Sequence, residues 1–262
     1  MKLLLIASAA LLSVALYAQD TAMANVDSAN GTIVNYRLSE LVVSGDTPDV
    51  LLGELNSKKS RKGQTISADS KVAYYFENTT REDGVYLKSM LFKVAKVKHK
   101  TEARIKIYKK HDYVQDTYHP KTGAKFSYAT FIPGDPIATQ EIIVFLEPGQ
   151  KGVVEVDLTE YGIIMPEEGL FLSLEGVGYY DAAGKPMKIT DRKEMTWIDF
   201  HPTATNNYCA WINSAGTNSY FWNNINKHLK VDYEVVFEHK PSKKAIMAPN
   251  FGLKVIMPKL KF

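Results

Sequence analysis

Three carboxylates fall close together in the segment Glu155-Val-Asp-Leu-Thr-Glu160. Paired carboxylates suit glycoside hydrolysis, in which one acts as nucleophile and the other as acid/base across a gap of about 5–5.5 Å. Strict strand alternation places Glu155 and Asp157 on one face and Glu160 on the other, so all three converge only if a bulge follows Asp157. The alternative is an exposed, charged strand end, because short acidic patterns arise easily in strands.

The E-x-D-x-x-E spacing of this segment resembles the catalytic strand of laminarinase-type glycoside hydrolases, which are also β-sandwiches. The resemblance implies that Glu155 is the nucleophile, Glu160 the acid/base and Asp157 the residue that tunes protonation. That family approaches its motif through a Trp/Pro/Gly-rich segment, whereas Lys151-Gly-Val-Val154 precedes it here. A retaining glycoside hydrolase is therefore the alternative function.

All three tryptophans lie between residues 197 and 222, and several tyrosines and phenylalanines are close to them in sequence. Exposed rings can stack on the apolar faces of sugars while neighbouring Asn and Asp side chains bond the hydroxyl groups. The candidates for ligand binding are Tyr179, Tyr180, Tyr220 and Trp222. For Trp197 and Trp211, each followed by Ile, burial in the core is favoured over ligand contact.

Lysines that share strand parity mark a second candidate ligand surface. Lys96 and Lys98 share one parity, and Lys106 shares another with Arg104 on the next predicted strand. If these strands pair as a hairpin with polar faces outward, they form a cationic surface suited to an acidic polysaccharide or lipid head groups. The alternative is a solvated face that discourages edge aggregation. The net charge of +3 does not indicate binding to nucleic acid.

Motifs for other kinds of chemistry are absent from the sequence. The six histidines have no metal-ligand spacing, and there is no serine-hydrolase elbow, phosphate-binding loop or dinucleotide fingerprint. The sole cysteine, Cys209, leaves no internal disulfide and fits a buried strand as a small apolar residue. We therefore expect no metal, no cofactor and, as the leading hypothesis, no catalytic activity.

Period-two alternation of apolar and polar residues dominates the chain, as in Ala103-Arg-Ile-Lys-Ile107 and Leu170-Phe-Leu-Ser-Leu-Glu175. Such alternation is typical of strands with one face in a core and the other in water. Turn sequences such as Asn30-Gly31 and Pro148-Gly149 separate the strands. The pattern predicts an all-β protein, with a single antiparallel β-sandwich or jelly-roll-like domain over residues 19–262.

Five strand patterns within about residues 40–180 carry a family resemblance. They are Leu52-Gly-Glu-Leu-Asn-Ser57, Val85-Tyr-Leu-Lys-Ser-Met-Leu-Phe92, Arg104-Ile-Lys-Ile-Tyr-Lys109, Val154-Glu-Val-Asp-Leu-Thr-Glu-Tyr161 and Gly169-Leu-Phe-Leu-Ser-Leu-Glu175. Their order resembles that in a family of uncharacterised secreted proteins of Bacteroidota, some of which follow a carboxypeptidase-regulatory-like module. The resemblance implies a β-sandwich with no established activity.

Residues 1–18 have the pattern of a secretory signal peptide: Lys2, an apolar run from Leu3 to Leu16, and Ala18 at the cleavage point. We therefore expect an exported protein, periplasmic or extracellular, with no transmembrane segment. The leading hypothesis is a non-catalytic β-sandwich that binds a glycan or another cell-surface partner, such as a polysaccharide or an envelope component. A structural envelope protein is the third alternative.

Overall fold

The structure is a computed structural model that describes residues 49–55, 61–68, 70–79, 84–118, 122–138, 140–203, 210–213, 222–225 and 247–257. All of these belong to the compact unit Asp46–Phe262. Their strands are β1 (Asp49–Glu54), β2 (Arg61–Ile66), β3 (Lys71–Phe76), β4 (Tyr86–Val94), β5 (Lys100–Tyr118), β6 (Lys125–Pro136), β7 (Ile142–Leu146), β8 (Gly152–Asp157), β9 (Leu170–Tyr180), β10 (Pro186–Met187), β11 (Thr196–Pro202), β12 (Ala210–Asn213), β13 (Asn223–Asn224), β14 (Met247–Pro249) and β15 (Phe251–Ile256). The predicted signal peptide, Cys209 and Tyr220 lie outside the described residues.

The strands form two antiparallel sheets. Sheet one has the order β1-β15-β4-β11-β14, with β2 paired to β11 and β8 paired to β4. Sheet two has the order β13-β12-β3-β9-β5-β6, with β10 paired to β9 and β7 paired to β5. The prediction of an all-β, sandwich-like fold is therefore confirmed.

Alternate side chains of both sheets meet in one apolar core. The inward residues of β5 are Ala103, Ile105 and Ile107, all buried, as their alternation with polar residues predicts. Sheet one supplies Phe92 and Phe251, among others, to the same core. Burial of each large apolar side chain contributes roughly 1.5–3 kcal/mol, so this core is the main source of stability.

The predicted hairpin of lysine-bearing strands is wrong. Lys96 and Lys98 lie in the connection between β4 and β5, which belong to different sheets. The backbone of this connection is held elsewhere: Ala95 N–H donates to the Trp197 carbonyl (2.9 Å) and Val97 N–H donates to the Gln150 carbonyl (2.9 Å). The lysine alternation thus spans a crossover whose anchor, Val97, is buried in the core.

Strand β5 is longer than the rest of its sheet. It pairs with β9 as far as Lys109, opposite Leu170, and on its other edge with β7 and then β6. Beyond that point the described pairing of β5 is with β6 alone. Residues 111–118 of β5 and 125–132 of β6 therefore form a two-stranded ribbon that extends past the sheet.

Sheet two is covered on both faces near its centre. All residues of Leu170–Glu175 in β9 are buried, although alternation predicted one face in water. The outward residues Phe171, Ser173 and Glu175 differ from this prediction because aromatic side chains lie over them. Within the described ranges, no helix has the length and apolar character needed to cross a membrane.

Candidate functional site

A cleft of about 370 Å³ opens on the outward side of sheet two. Three separate segments line it: the end of β3, the turn before β9, and β5 where the ribbon begins. The lining residues are Tyr75, Glu77, Asn78, Lys110, Glu167 and Glu168. The lining is more polar than that of most small-molecule sites, but it joins one aromatic ring with several hydrogen-bonding groups.

The turn before β9 is fixed by Gly169. This residue has φ +84°, a left-handed conformation, and its N–H donates to the Pro166 carbonyl (2.9 Å). A Cβ at this position would lie 2.4 Å from the Phe76 carbonyl oxygen, so the turn packs directly against the end of β3. Asn78 Nδ2 donates to the Pro166 carbonyl (3.3 Å), and the Tyr75 hydroxyl donates to the Glu168 carbonyl. These contacts hold the two acidic turn residues beside Tyr75.

Tyr75 forms the aromatic wall of the cleft and belongs to a larger aromatic cluster. The ring of Tyr75 lies 4.7 Å from that of Phe131 and 5.3 Å from that of Phe171, between centroids. Lys110 places its Nζ 5.1 Å from the Phe131 centroid, a cation–π geometry. The cluster continues away from the cleft through Tyr108 to the half-buried Trp222, whose ring meets that of Tyr108 edge-on at 6.0 Å.

A buried ionic network fixes Tyr108, which is a member of this cluster. Glu175, which is 1% exposed, accepts hydrogen bonds from the Tyr108 hydroxyl (2.5 Å) and the Ser173 hydroxyl (3.1 Å). Its other oxygen accepts from Arg104 Nε (3.1 Å), and Arg104 also reaches Glu141 (2.9 Å). Burial, with the bond to Glu175 second, raises the pKa of Tyr108 far above its usual value. Tyr108 therefore stays a neutral donor that ties the aromatic cluster to the sheet.

The cleft carries an excess of negative charge. Glu77, Glu167 and Glu168 are exposed at its rim. The cation at the site, Lys110, lies 3.2 Å from Asp112, which neutralises it. The local field therefore disfavours an anionic ligand.

Two of the predicted catalytic carboxylates lie on sheet one, and the third lies in the turn that follows β8. Strand β8 ends at Asp157, whose Oδ1 accepts from the Thr159 N–H (2.8 Å) and the Thr159 hydroxyl (2.6 Å). This capping starts a 3-10 turn over Thr159–Tyr161, and Glu160 lies in that turn. Glu155 accepts from Lys254 Nζ (2.7 Å) and from the Ser89 hydroxyl (2.6 Å).

Electrostatics hold two of these carboxylates in the charged form. The hydrogen bonds from Lys254 and Ser89 lower the pKa of Glu155, and those from Thr159 lower the pKa of Asp157. An ionised Glu155 agrees with the role of nucleophile, whereas a general acid would need a raised pKa. The assignment of Glu155, Asp157 and Glu160 as a catalytic set stays a prediction.

The predicted aromatic ligand residues are divided between several environments. Trp222 joins the aromatic cluster, and Tyr180 is half-buried with its hydroxyl donating to Glu102. Exposure of Tyr179 was the wrong expectation, because its ring is buried and its hydroxyl donates to the Ile66 carbonyl. Tyr220 lies outside the described residues.

The two tryptophans predicted to be core residues differ. Trp211 is 1% exposed within the aromatic cluster, so its burial is confirmed. Trp197 instead lies half-buried on sheet one, where its indole N–H donates to the Arg192 carbonyl (3.0 Å). The Arg192 guanidinium covers its ring at 5.1 Å. Lys62 Nζ also lies 5.8 Å from the ring centroid, so two cations flank the ring of Trp197.

The predicted cationic residues do not form one surface. Lys98 pairs with Glu194 (2.7 Å), and Lys106 lies instead on the outward face of β5. Arg104 on that face is compensated by Glu141 and Glu175. Lys96 is exposed in the β4–β5 connection. Nearby carboxylates thus cancel much of the positive field that the alternation suggested.

The sequence patterns did not predict the cleft itself. Its signals were present but local: an aromatic and an amide at a strand end in Tyr75-Phe-Glu-Asn78, and two acids before a turn glycine in Pro166-Glu-Glu-Gly169. Only the antiparallel pairing of β3 with β9, Phe76 opposite Leu170, brings these segments together.

Neither metal-binding groups nor comparisons with known proteins add a further assignment. In the described part of the chain, no three His, Cys, Asp or Glu side chains are arranged to hold a metal ion. His201 and Glu54 form a pair (2.8 Å), which is fewer ligands than a metal site requires. No protein-family model matches the chain, and no curated protein or solved structure gives a significant match.

Proposed function

We propose that the protein is an exported, non-catalytic β-sandwich that binds a saccharide in the cleft on sheet two. The observation that carries the proposal is the Tyr75 ring at the wall of a 370 Å³ cleft whose rim is amide and carboxylate. Export rests on the predicted signal peptide alone.

A sugar ring matches this mixture of surfaces. Its C–H face is apolar, and moving that face from water onto an aromatic ring lowers the free energy. Its hydroxyl groups need hydrogen-bond partners, which the carboxylates of Glu77, Glu167 and Glu168 supply as acceptors. The packing of Tyr75 on Phe131 and Phe171 fixes the ring before a ligand arrives, which lowers the entropic cost of binding.

The charge of the cleft restricts the class of saccharide. Three rim carboxylates face one lysine that is already paired with Asp112. A uronic acid or sulfated sugar would bring further negative charge into this field. The proposed ligand is therefore a neutral glycan, in contrast to the anionic polymer suggested by the lysine pattern.

The test is binding of the full-length protein to an array of neutral and acidic oligosaccharides, followed by titration calorimetry on the best ligand. We expect a neutral oligosaccharide to bind, and Tyr75→Ala to weaken its affinity by at least about tenfold. Tyr75→Phe, which keeps the ring, should retain most of the affinity. Trp197→Ala, on the other sheet, is the control and should bind normally.

Two further variants keep the test decisive if Tyr75→Ala unfolds. Glu77→Ala and Glu167→Ala alter exposed side chains and should each weaken binding about threefold to tenfold. Absence of binding to every neutral glycan on the array would overturn the proposal. So would a neutral ligand whose affinity is the same in Glu77→Ala, Glu167→Ala and the unmodified protein.

A further inference from the structure

The outward face of sheet two continues along β5 onto the ribbon, past a register shift against β6 between Tyr108 and Lys110. Alternate residues of β5 share one face, so the face that bears Tyr108 and Lys110 also bears Asp112, Val114 and Tyr118. The register places Phe131 opposite Asp112, on the same face. Because Phe131 also packs on Tyr75, the wall of the cleft and the face of the ribbon are one surface.

Apolar and polar groups alternate along this face of the ribbon. Val114 and Tyr118 are each 64% exposed, a high value for apolar side chains on a strand. Between them lies Asp116, which accepts from the Ser127 hydroxyl (2.6 Å) and pairs with Lys125 (2.8 Å). The strip from Asp112 to Tyr118 spans about 20 Å of extended strand.

We propose that this strip binds further units of the glycan whose first unit occupies the cleft, so that the ligand is a chain of several sugars. The inference rests on the proposed function. A sugar chain repeats an apolar C–H face and a rim of hydroxyls, which is the alternation that Val114, Asp116 and Tyr118 present. An isolated two-stranded ribbon is only marginally stable in water, so a ligand laid along it also orders it.

A second copy of this chain is the less suitable occupant. Self-association through a sheet face favours a continuous apolar surface, with charged residues depleted at its centre. Here Asp116 lies between the two exposed apolar side chains and is already paired with Lys125, which lies opposite Tyr118. Burying that pair against a protein would cost desolvation free energy. The hydroxyl groups of a sugar, in contrast, replace part of the lost hydration.

The experiment compares a disaccharide with a hexasaccharide of the neutral glycan found on the array, by titration calorimetry. We expect the hexasaccharide to bind about tenfold more tightly. Tyr118→Ala should remove most of this gain and leave disaccharide affinity unchanged, whereas Tyr75→Ala should weaken both. Tyr113→Ala, on the opposite face of the ribbon, is the matched control and should change neither.

The outcomes separate this inference from the proposed function. Equal affinity for the two chain lengths, or a chain-length gain that survives Tyr118→Ala, overturns the ribbon assignment while the cleft stands. A dimer in light scattering that Tyr118→Ala converts to a monomer, with glycan affinity intact, assigns the ribbon to self-association and overturns it as well. Failure of every neutral glycan to bind overturns both.

Discussion

Replacing Tyr108 with Phe removes one hydroxyl from the buried network and leaves the ring in place. The lost hydroxyl donates to the carboxylate of Glu175 at 2.5 Å, and Glu175 is 1% exposed. A hydrogen bond to a charged group contributes about 1.5–3 kcal/mol, and the loss leaves a buried carboxylate oxygen with the weaker Ser173 contact alone (3.1 Å). We therefore expect Tyr108→Phe to lower the free energy of unfolding by about 2 kcal/mol.

The assay is urea unfolding followed by tryptophan fluorescence, with thermal unfolding as a second probe. For a domain of this size, that loss lowers the melting temperature by about 4–8 °C. Tyr113→Phe, at an exposed residue of the ribbon, is the matched control and should change stability by less than about 0.5 kcal/mol. The double variant Tyr108→Phe, Ser173→Ala deprives the same oxygen of both donors and should lose more than the sum of the single changes.

Equal free energies of unfolding for Tyr108→Phe and Tyr113→Phe would contradict this prediction. In that case the Glu175 network would contribute nothing, and the aromatic cluster would stand by packing alone. If the losses of the two single variants simply add in the double variant, Tyr108 and Ser173 do not act on the same Glu175 oxygen.

Three further predictions concern other parts of the sandwich. Gly176→Ala should cost at least about 1–3 kcal/mol in urea unfolding because its Cβ would lie 2.1 Å from a backbone oxygen, whereas Gly178→Ala, with open space around it, should be nearly neutral; equal effects would contradict the packing. Burial raises the pKa of Tyr179 from 10.0 to about 12, so its contribution is complete below pH 10 and is lost as pH rises to 12; Tyr179→Phe should flatten alkaline unfolding in that window. Bonds from Lys254 and Ser89 lower the pKa of Glu155, so that contribution is present above the usual value of 4.5 and is lost in more acidic solution. Lys254→Met should therefore reduce acid sensitivity, by less than about 1 kcal/mol for so exposed a pair, and an unchanged acid profile would show that the pair contributes nothing.

The fold was largely predictable because alternation reports which side chains face a core. Ala103, Ile105 and Ile107 alternate with cations in the sequence and are the inward residues of β5 in the structure. What alternation cannot report is what covers the outward face. The alternation predicts that Glu175 is exposed to solvent. It is buried with Tyr108 instead, because strands distant in sequence bring their side chains over it.

The candidate site was less predictable because it depends on long-range pairing. Tyr75 and Glu168 are 93 positions apart in sequence, and their contact follows from the register of β3 against β9. The lysine pattern failed for a related reason. Parity counted through Lys98 to Lys106 assumes a hairpin, whereas the chain crosses between sheets at the buried Val97. Local periodicity carries no signal for such a crossover.

The central claim is that the outward face of sheet two, from the cleft to the ribbon, is a saccharide-binding surface. Hydrogen–deuterium exchange of the full-length protein, with and without the neutral hexasaccharide, tests it most directly. We expect slowed exchange in three places: the end of β3, the turn that contains Glu167 and Glu168, and the ribbon. Slowed exchange confined to β8 and the Thr159–Tyr161 turn, where Glu155, Asp157 and Glu160 lie, would contradict the claim and favour the hydrolase alternative.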